Sequence, residues 1–226
     1  MLKTHVAQCD QLDGNHNNRR EVLKAVVAAS LATGIEIFDF TVYGFFAVMI
    51  GEQFFPAKDP MTSLLLAVGT FGVGFFMRPL GAMMIGAYAD RVGRRAAMVT
   101  ACWMTAIGTA ALGLSPSFAT IGFAAPLIVI VGRSLQGFAV GGDFGVAASF
   151  VLEAAPVSRR GLLLSWQFTS QGAAALLGAS LGVLLTSTMS PGALAAWGWR
   201  VPFLIGLLIA PVGLYVRQRL HEAPLP

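Results

Sequence analysis

Six long apolar segments dominate the sequence, and each is close to the length that a helix needs to cross a lipid bilayer. A helix crosses the hydrocarbon core with about 20 apolar residues, whereas a membrane barrel would show stretches of about ten residues with alternating polarity. The segments here are continuous, so the sequence predicts helices. They lie at residues 25–50, 63–88, 97–115, 120–143, 161–188 and 199–217.

The composition supports a membrane environment. Of the 226 residues 56% are hydrophobic and only 12% are charged, with a mean hydropathy of +0.71. Such a chain has too few polar groups to cover its surface in water. We therefore predict an all-α membrane protein with a cytosolic N-terminal tail (1–24), a six-helix transmembrane bundle (25–217) and a cytosolic C-terminal end (218–226).

Basic residues are divided unequally between the two sides of the predicted bundle. With the N-terminus in the cytosol, eleven of the 15 Lys and Arg residues lie in cytosolic segments and two lie inside helices. The opposite side holds only Lys58 and Arg200. Because Lys and Arg are concentrated in cytosolic loops, the sequence predicts a multi-pass protein of the cytoplasmic (inner) membrane with both termini in the cytosol.

Several function classes find no support in the sequence. It contains no Rossmann-type glycine pattern, phosphate loop or HExxH motif, and its three histidines lie in the tails. Cys9 and Cys102 suggest neither a disulfide framework nor a metal site. The arginines are spread over membrane loops instead of one basic face, which argues against nucleic-acid binding. We expect no enzyme, no cofactor, no metal and no nucleic-acid partner.

Four ionisable residues lie inside predicted helices, where each costs at least a few kcal/mol and is a functional candidate. From a rise of about 1.5 Å per residue, Glu36, Asp39 and Arg133 fall near the bilayer midplane, where opposite charges are expected to pair. Asp39 or Glu36 is the predicted proton-coupling group, and Arg133 and Arg78 are predicted to bind substrate. Because Pro79 follows Arg78, a purely structural role for this arginine stays open.

Polar side chains recur at helical spacing on three of the predicted helices. The stripes are Glu36, Asp39 and Tyr43 on the first helix, Arg133, Gln136, Val140 and Asp143 on the fourth, and Gln167, Ser170 and Gln171 on the fifth. Three inward polar stripes suggest a hydrated cavity, so Tyr43 and Gln136 are candidate substrate-binding residues. Gln167 and Gln171 are further candidates, although hydrogen bonding between neighbouring helices is an alternative role for both.

A charged turn separates the second apolar segment from the third. Three arginines and one aspartate are costly inside lipid but suit a cytosolic hairpin. Its sequence is Gly86-Ala-Tyr-Ala-Asp90-Arg91-Val-Gly93-Arg94-Arg95. The pattern resembles the loop between the second and third helices of the major facilitator superfamily, G-x-x-x-D-R-x-G-R-R, and every position of it is filled.

Further stretches resemble one branch of that superfamily, the metabolite:proton symporters. They are Phe38-Asp39-Phe40-Thr-Val-Tyr43-Gly44, Arg78-Pro79-Leu80-Gly81, Arg133-Ser-Leu-Gln136-Gly137, Gly141-Gly142-Asp143-Phe144-Gly145, Glu153-Ala-Ala-Pro156 running on to Arg160-Gly161, and Trp197-Gly198-Trp199-Arg200-Val-Pro202-Phe203. The run from Arg78 to Asp90 and the sequence Ser165-Trp166-Gln167 are most similar to the citrate and tricarballylate type.

The resemblance implies half of a twelve-helix fold, built as a 3+3 inverted repeat, that works by alternating access. Members of this branch carry citrate and other carboxylates, shikimate, or zwitterions such as proline and betaine. The implied partners are a small anionic or zwitterionic metabolite, protons, the lipid bilayer and a second six-helix half.

The resemblance also implies a cytosolic gating motif. Its residues here are Gly86, Asp90, Arg91, Gly93, Arg94, Arg95, Asp143, Glu153 and Arg160. Where relatives commonly have Gly-Gly-Glu, this chain has the shorter acid Asp143, and Val146 replaces a usual second glycine. Asp90 is expected to cap a neighbouring helix or to pair with Arg94, Arg159 or Arg160. Simple anchoring of the hairpin in the cytosol is the alternative.

The expected function is proton-coupled symport of a small carboxylate or related metabolite, with this chain supplying the N-terminal half of the carrier. Two alternatives stay open. One is an uncoupled facilitator or sugar-type porter. The other is a non-transporting truncated half or an assembly partner for a matching half.

Overall fold

The computed structural model describes residues 22–23, 26–27, 29–31, 33–207 and 211, except for the side chains of Phe150, Glu153 and Ala154. Within these residues all regular secondary structure is helical, as the sequence predicts. The helices are α1 (Ala29–Phe45), α2 (Ala47–Phe54), α3 (Pro60–Val92), α4 (Arg94–Leu114), α5 (Phe118–Ile121), α6 (Ala124–Ala154), α7 (Arg160–Thr188), α8 (Pro191–Ala196) and α9 (201–207).

Four of these helices, α3, α4, α6 and α7, are long and apolar enough to cross a membrane, and α1 with α2 makes a fifth span if the bent pair crosses as one. The predicted sixth helix, 199–217, is helical over 201–207, and from 208 onwards only residue 211 is described. Of the predicted tails, only residues 22 and 23 are described. Six crossings therefore remain a prediction.

Two boundaries differ from those read from the sequence. The first span, predicted as one helix over 25–50, bends by 71° between α1 and α2. The apolar run contains no proline that would have indicated a break. In the structure α2 packs closely on the start of α3, since a Cβ at Gly51 would lie 2.7 Å from the carbonyl oxygen of Ser63. The fourth span continues to Ala154 instead of ending at Asp143.

Helices α3 and α6 touch backbone to backbone through glycines. A methyl group at Gly81 would overlap the carbonyl oxygen of Phe138, and one at Gly137 would overlap that of Gly74. Small residues of this kind let helices approach closely in a membrane. On its other side α6 packs against α4, where a Cβ at Gly108 would meet the carbonyl oxygen of Gly132 at 2.7 Å. Helix α6 is thus held between two neighbours.

The buried side chains form two apolar clusters with a polar layer between them. The first cluster surrounds the α3–α4 turn and includes Ile85, Met98 and Val151. The second lies toward the other end of the bundle and includes Ile50 and Trp199. Buried polar residues occupy the middle of α1, α4 and α6 between these clusters; they include Asp39, Thr109, Arg133 and Gln136. The candidate site lies in this layer.

The charged hairpin is tighter than the sequence suggests. Helix α3 ends at Val92 and α4 begins at Arg94, so Gly93 alone connects them. Its backbone has φ 108°, a conformation that glycine adopts readily and other residues rarely do. This explains the glycine between Arg91 and Arg94 in the turn.

The glycine contact between α3 and α6 can be tested by adding one methyl group. We expect Gly137→Ala to destabilise the protein by about 1–3 kcal/mol, because overpacking at a rigid backbone contact cannot be relieved by a side-chain rotation. The measurement is thermal unfolding in detergent. Gly145→Ala on the same helix is the matched control, since a Cβ there meets nothing within 4 Å. Equal midpoints for the two variants would contradict the packing described here.

Candidate functional site

The predicted pairing of opposite charges is present between α1 and α6. Nη1 of Arg133 lies 2.8 Å from Oδ2 of Asp39, and the two side chains are only 1% and 4% exposed. The pair joins residues 94 positions apart in the sequence. Neither charge is tolerable alone at this depth, because an isolated ion in a low-dielectric medium pays a large desolvation penalty.

Two neutral side chains complete the network around the carboxylate. Gln136 accepts a hydrogen bond from Nη1 of Arg133 (2.8 Å) and donates from Nε2 to Oδ2 of Asp39 (3.0 Å). The same Nε2 lies 2.9 Å from Oγ1 of Thr109, and that hydroxyl donates to Oδ1 of Asp39 at 3.3 Å. Both oxygens of Asp39 are therefore occupied, and the carboxylate is held from α4 and α6 together.

An aromatic ring covers the guanidinium group. Cζ of Arg133 lies 3.8 Å from the ring centroid of Tyr43, within the range of a cation–π contact. The hydroxyl of Tyr43 donates to the carbonyl oxygen of Ala67 at 2.9 Å, and its ring stacks on Phe71 at 5.6 Å. Tyr43 is thereby fixed and orients Arg133. Among the described residues, Nε and Nη2 of Arg133 have no hydrogen-bond partner, so the guanidinium keeps unused donors.

A cavity of about 540 Å³ lies beside this network, between α1, α3, α6 and α7. Glu36 and Arg78 line it from α1 and α3, and Gln171 lines it from α7. Cζ of Arg78 lies 4.8 Å from the ring centroid of Phe40 and 4.2 Å from that of Phe75. Cζ of Arg133 is 5.9 Å from the same Phe40 ring. One phenyl group therefore contacts both arginines.

Residues that share one predicted helical stripe have different surroundings in the structure. Asp39 belongs to the Arg133 network, whereas Glu36 lines the cavity with Arg78. Gln171 lines the cavity, but Gln167 does not; it is fully buried, and neither of its amide atoms has a hydrogen-bond partner among the described residues. A role in substrate binding stays a prediction for both glutamines.

The predicted gating residues lie at the α3–α4 turn, along α6 and at the start of α7. Asp90 and Arg91 are exposed, whereas Asp143 is fully buried in α6, eleven residues before that helix ends. The expected contacts of Asp90 stay a prediction. Nε of Arg160 donates to the carbonyl oxygen of Ala155 at 3.4 Å. The side chain of Glu153 lies outside the described residues.

Several residues at the site were not predicted from the sequence, because residues of their types are common in apolar helices. Thr109 donates a hydrogen bond to Asp39, yet a single threonine on an apolar helix suggests only a packing role. Phe40 and Phe75 contact Arg78, and Phe144 and Phe168 face each other in the cavity wall at 5.9 Å between ring centroids. The role of Phe40 could have been inferred from its position, because it follows Asp39 directly and lies four residues after Glu36.

The fold and the site define a multi-pass helical membrane protein with an ion pair buried at mid-bundle beside a cavity. The sequence profile of the family described as "Sugar (and other) transporter" matches residues 24–225. The chain therefore belongs to this family, which consists of transporters and not of enzymes.

Individual relatives agree with this membership. The citrate-proton symporter of Klebsiella pneumoniae is 41% identical over 198 residues, which cover 88% of this chain and 45% of that protein. The proline/betaine transporter of Salmonella typhimurium is 41% identical over 201 residues, covering 89% and 40%. The xylose transporter XylE from E. coli superposes with a TM-score of 0.79 at 18% identity, covering 91% and 49%, which supports the fold alone. The chain spans about half the length of the curated relatives it matches.

The buried ion pair leads to a prediction about the stability of the folded protein. Arg133→Gln is expected to destabilise the protein by about 3–5 kcal/mol, because it leaves a buried carboxylate without its counter-ion. Asp39→Asn removes the other partner, and the double variant is expected to lose less than the sum of the single variants.

Thermal or denaturant unfolding in detergent measures this cycle. Asp59→Asn is a suitable control, because Asp59 is the exposed N-cap of α3 and Asn is an equally good N-cap. Strict additivity of the Asp39 and Arg133 substitutions would show that the two groups are not coupled.

Proposed function

We propose that this chain takes part in proton-coupled symport of a small carboxylate-bearing metabolite across the cytoplasmic membrane, as one six-helix half of an alternating-access carrier. The observation that carries the proposal is the ion pair between Asp39 and Arg133, buried between two apolar clusters. The names of the relatives support the same class, since one is a citrate-proton symporter and another a proline/betaine transporter.

In this proposal Asp39 carries the coupled proton. When ionised, it accepts hydrogen bonds from Arg133 and Gln136. Protonation removes its negative charge and turns one acceptor oxygen into a donor, so Arg133 loses its counter-ion. Because a buried cation without a partner is costly, the freed positive charge of Arg133 then strengthens the attraction of the neighbouring cavity for a substrate carboxylate. Proton and anion movements become coupled without any covalent step.

The cavity is the proposed substrate site. Its volume of about 540 Å³ lies in the range of small-molecule sites, and its wall combines aromatic rings with a few polar groups. Arg78 and Gln171 are the proposed contacts for the substrate. Gln136 and Tyr43 act through Arg133, whose guanidinium they hold in position.

A second six-helix half is the proposed partner of this chain. Four helices of the chain line the cavity, and carriers of this kind bind substrate between two repeats that rock against each other. We propose that both termini are cytosolic, with the Arg91–Arg95 turn on the cytosolic side and Lys58 on the opposite side, in line with the distribution of Lys and Arg.

The proton-coupling role of Asp39 can be tested by uptake driven by a pH gradient. In vesicles that contain this chain, Asp39→Asn is expected to abolish gradient-driven uptake of a labelled carboxylate, because an amide cannot take up and release the coupled proton. Asp59→Asn, which removes an exposed charge from the same chain, should leave uptake within about twofold of the unsubstituted protein, as is usual for surface substitutions.

Three outcomes of that experiment would contradict the proposal in different ways. Gradient-driven uptake that survives Asp39→Asn together with Glu36→Gln rules out this coupling site. Uptake that ignores a protonophore selects the uncoupled facilitator or sugar-type porter. No uptake, even when a second six-helix half is present, selects the non-transporting alternative.

If the hairpin has the proposed gating role, a substitution at Asp90 affects transport turnover but not membrane insertion. Asp90→Asn should lower transport turnover severalfold while membrane insertion, followed by protease protection, stays unchanged, because the arginines alone suffice to keep the turn in the cytosol. Asp59→Asn again serves as the control. Equal loss of turnover and insertion would favour simple topological anchoring by the hairpin.

A further inference from the structure

The cavity is lined by one charged group of each sign. Among its described lining residues, Glu36 is the acid and Arg78 is the base, while Asp39 and Arg133 are engaged with each other outside the lining. Glu36 is 7% exposed, so its carboxylate is shielded from bulk solvent. The fixed charges of the described lining residues therefore cancel.

The positions of the two charges are constrained by packing. The guanidinium of Arg78 lies against the rings of Phe40 and Phe75, at 4.8 and 4.2 Å, and it is attracted by the charge of Glu36. Its Nε has no hydrogen-bond partner among the described residues. Arg78 can thus offer donors to a ligand from a fixed position on α3, while Glu36 faces the same space from α1.

These charges suit a ligand that carries both signs. A carboxylate can form paired hydrogen bonds with a guanidinium group, which assigns it to Arg78. A cationic centre at the other end of the ligand is attracted by Glu36 and by the faces of nearby aromatic rings. Phe144 and Phe168 supply such rings in the cavity wall. A ligand with two carboxylates would instead bring the second carboxylate toward Glu36, and the two negative charges would repel each other.

We infer that Glu36 determines the charge selectivity of the cavity, so that the chain favours a small zwitterion with one carboxylate and one cationic nitrogen over a dicarboxylate. The inference rests on the proposed function, because it assumes that the cavity holds the transported solute. It narrows the carboxylate-bearing substrates of that proposal to those whose net charge is zero.

Equilibrium binding to the purified chain in lipid nanodiscs tests this inference, with labelled glycine betaine as the zwitterion and labelled succinate as the dianion. The unsubstituted chain should bind glycine betaine about tenfold or more tightly than succinate. Glu36→Gln should reduce that ratio by about tenfold or more, which is the usual effect of losing one charge-assisted interaction. Glu36→Asp keeps the charge and should preserve the preference for glycine betaine.

Glu52→Gln is the matched control, because it removes the same charge from an exposed position on α2 and should leave the ratio unchanged. A preference of the unsubstituted chain for succinate, or a ratio that Glu36→Gln leaves within twofold, would overturn the inference. In that case gradient-driven uptake that depends on Asp39 would still support the proposed function. If the unsubstituted chain binds neither probe, the inference fails as well, and the uptake measurement alone decides the proposed function.

Discussion

A charge in the interior of a membrane protein is costly unless a partner compensates it, and this constraint organises the bundle. The contact between Asp39 and Arg133 fixes the relative depth of α1 and α6, and Thr109 of α4 adds a third helix to the same point. Apolar clusters lie on both sides of this layer. The polar layer costs stability compared with an apolar one, so its presence is most simply explained by function.

The close packing of the helices and the polar layer depend on each other. Glycines bring the backbones of α3 and α6 into contact, and this contact sets the two arginines, Arg78 on α3 and Arg133 on α6, around the ring of Phe40. The Phe40 ring therefore links the proposed proton site to Arg78, which lines the proposed substrate cavity. In the proposed symport mechanism, a change in the partner of Arg133 acts on the cavity through the Phe40 ring.

The helical membrane fold could be predicted from the sequence, because a long apolar segment crosses a bilayer as a helix. Charges within such segments are expected to pair with one another. The pairing of Asp39 with Arg133 followed from their equal depth. The separate environment of Glu36 did not, because residues three apart on a helix differ by only about 60° in direction and either one could face α6. The bend before α2 and the buried position of Gln167 depend on tertiary contacts that leave no local pattern. Asp143 looked like a helix end, yet the apolar sequence after it continues α6 to Ala154.

The central claim is that Asp39 exchanges a proton when the partner of Arg133 changes, and infrared difference spectroscopy of the membrane-embedded chain measures this most directly. The account predicts a carbonyl band of a protonated carboxyl group that grows as the pH falls, changes when a carboxylate-bearing ligand is added, and is missing in Asp39→Asn. A spectrum in which that band persists in Asp39→Asn, or in which no pH-dependent carboxyl band occurs, would contradict the account.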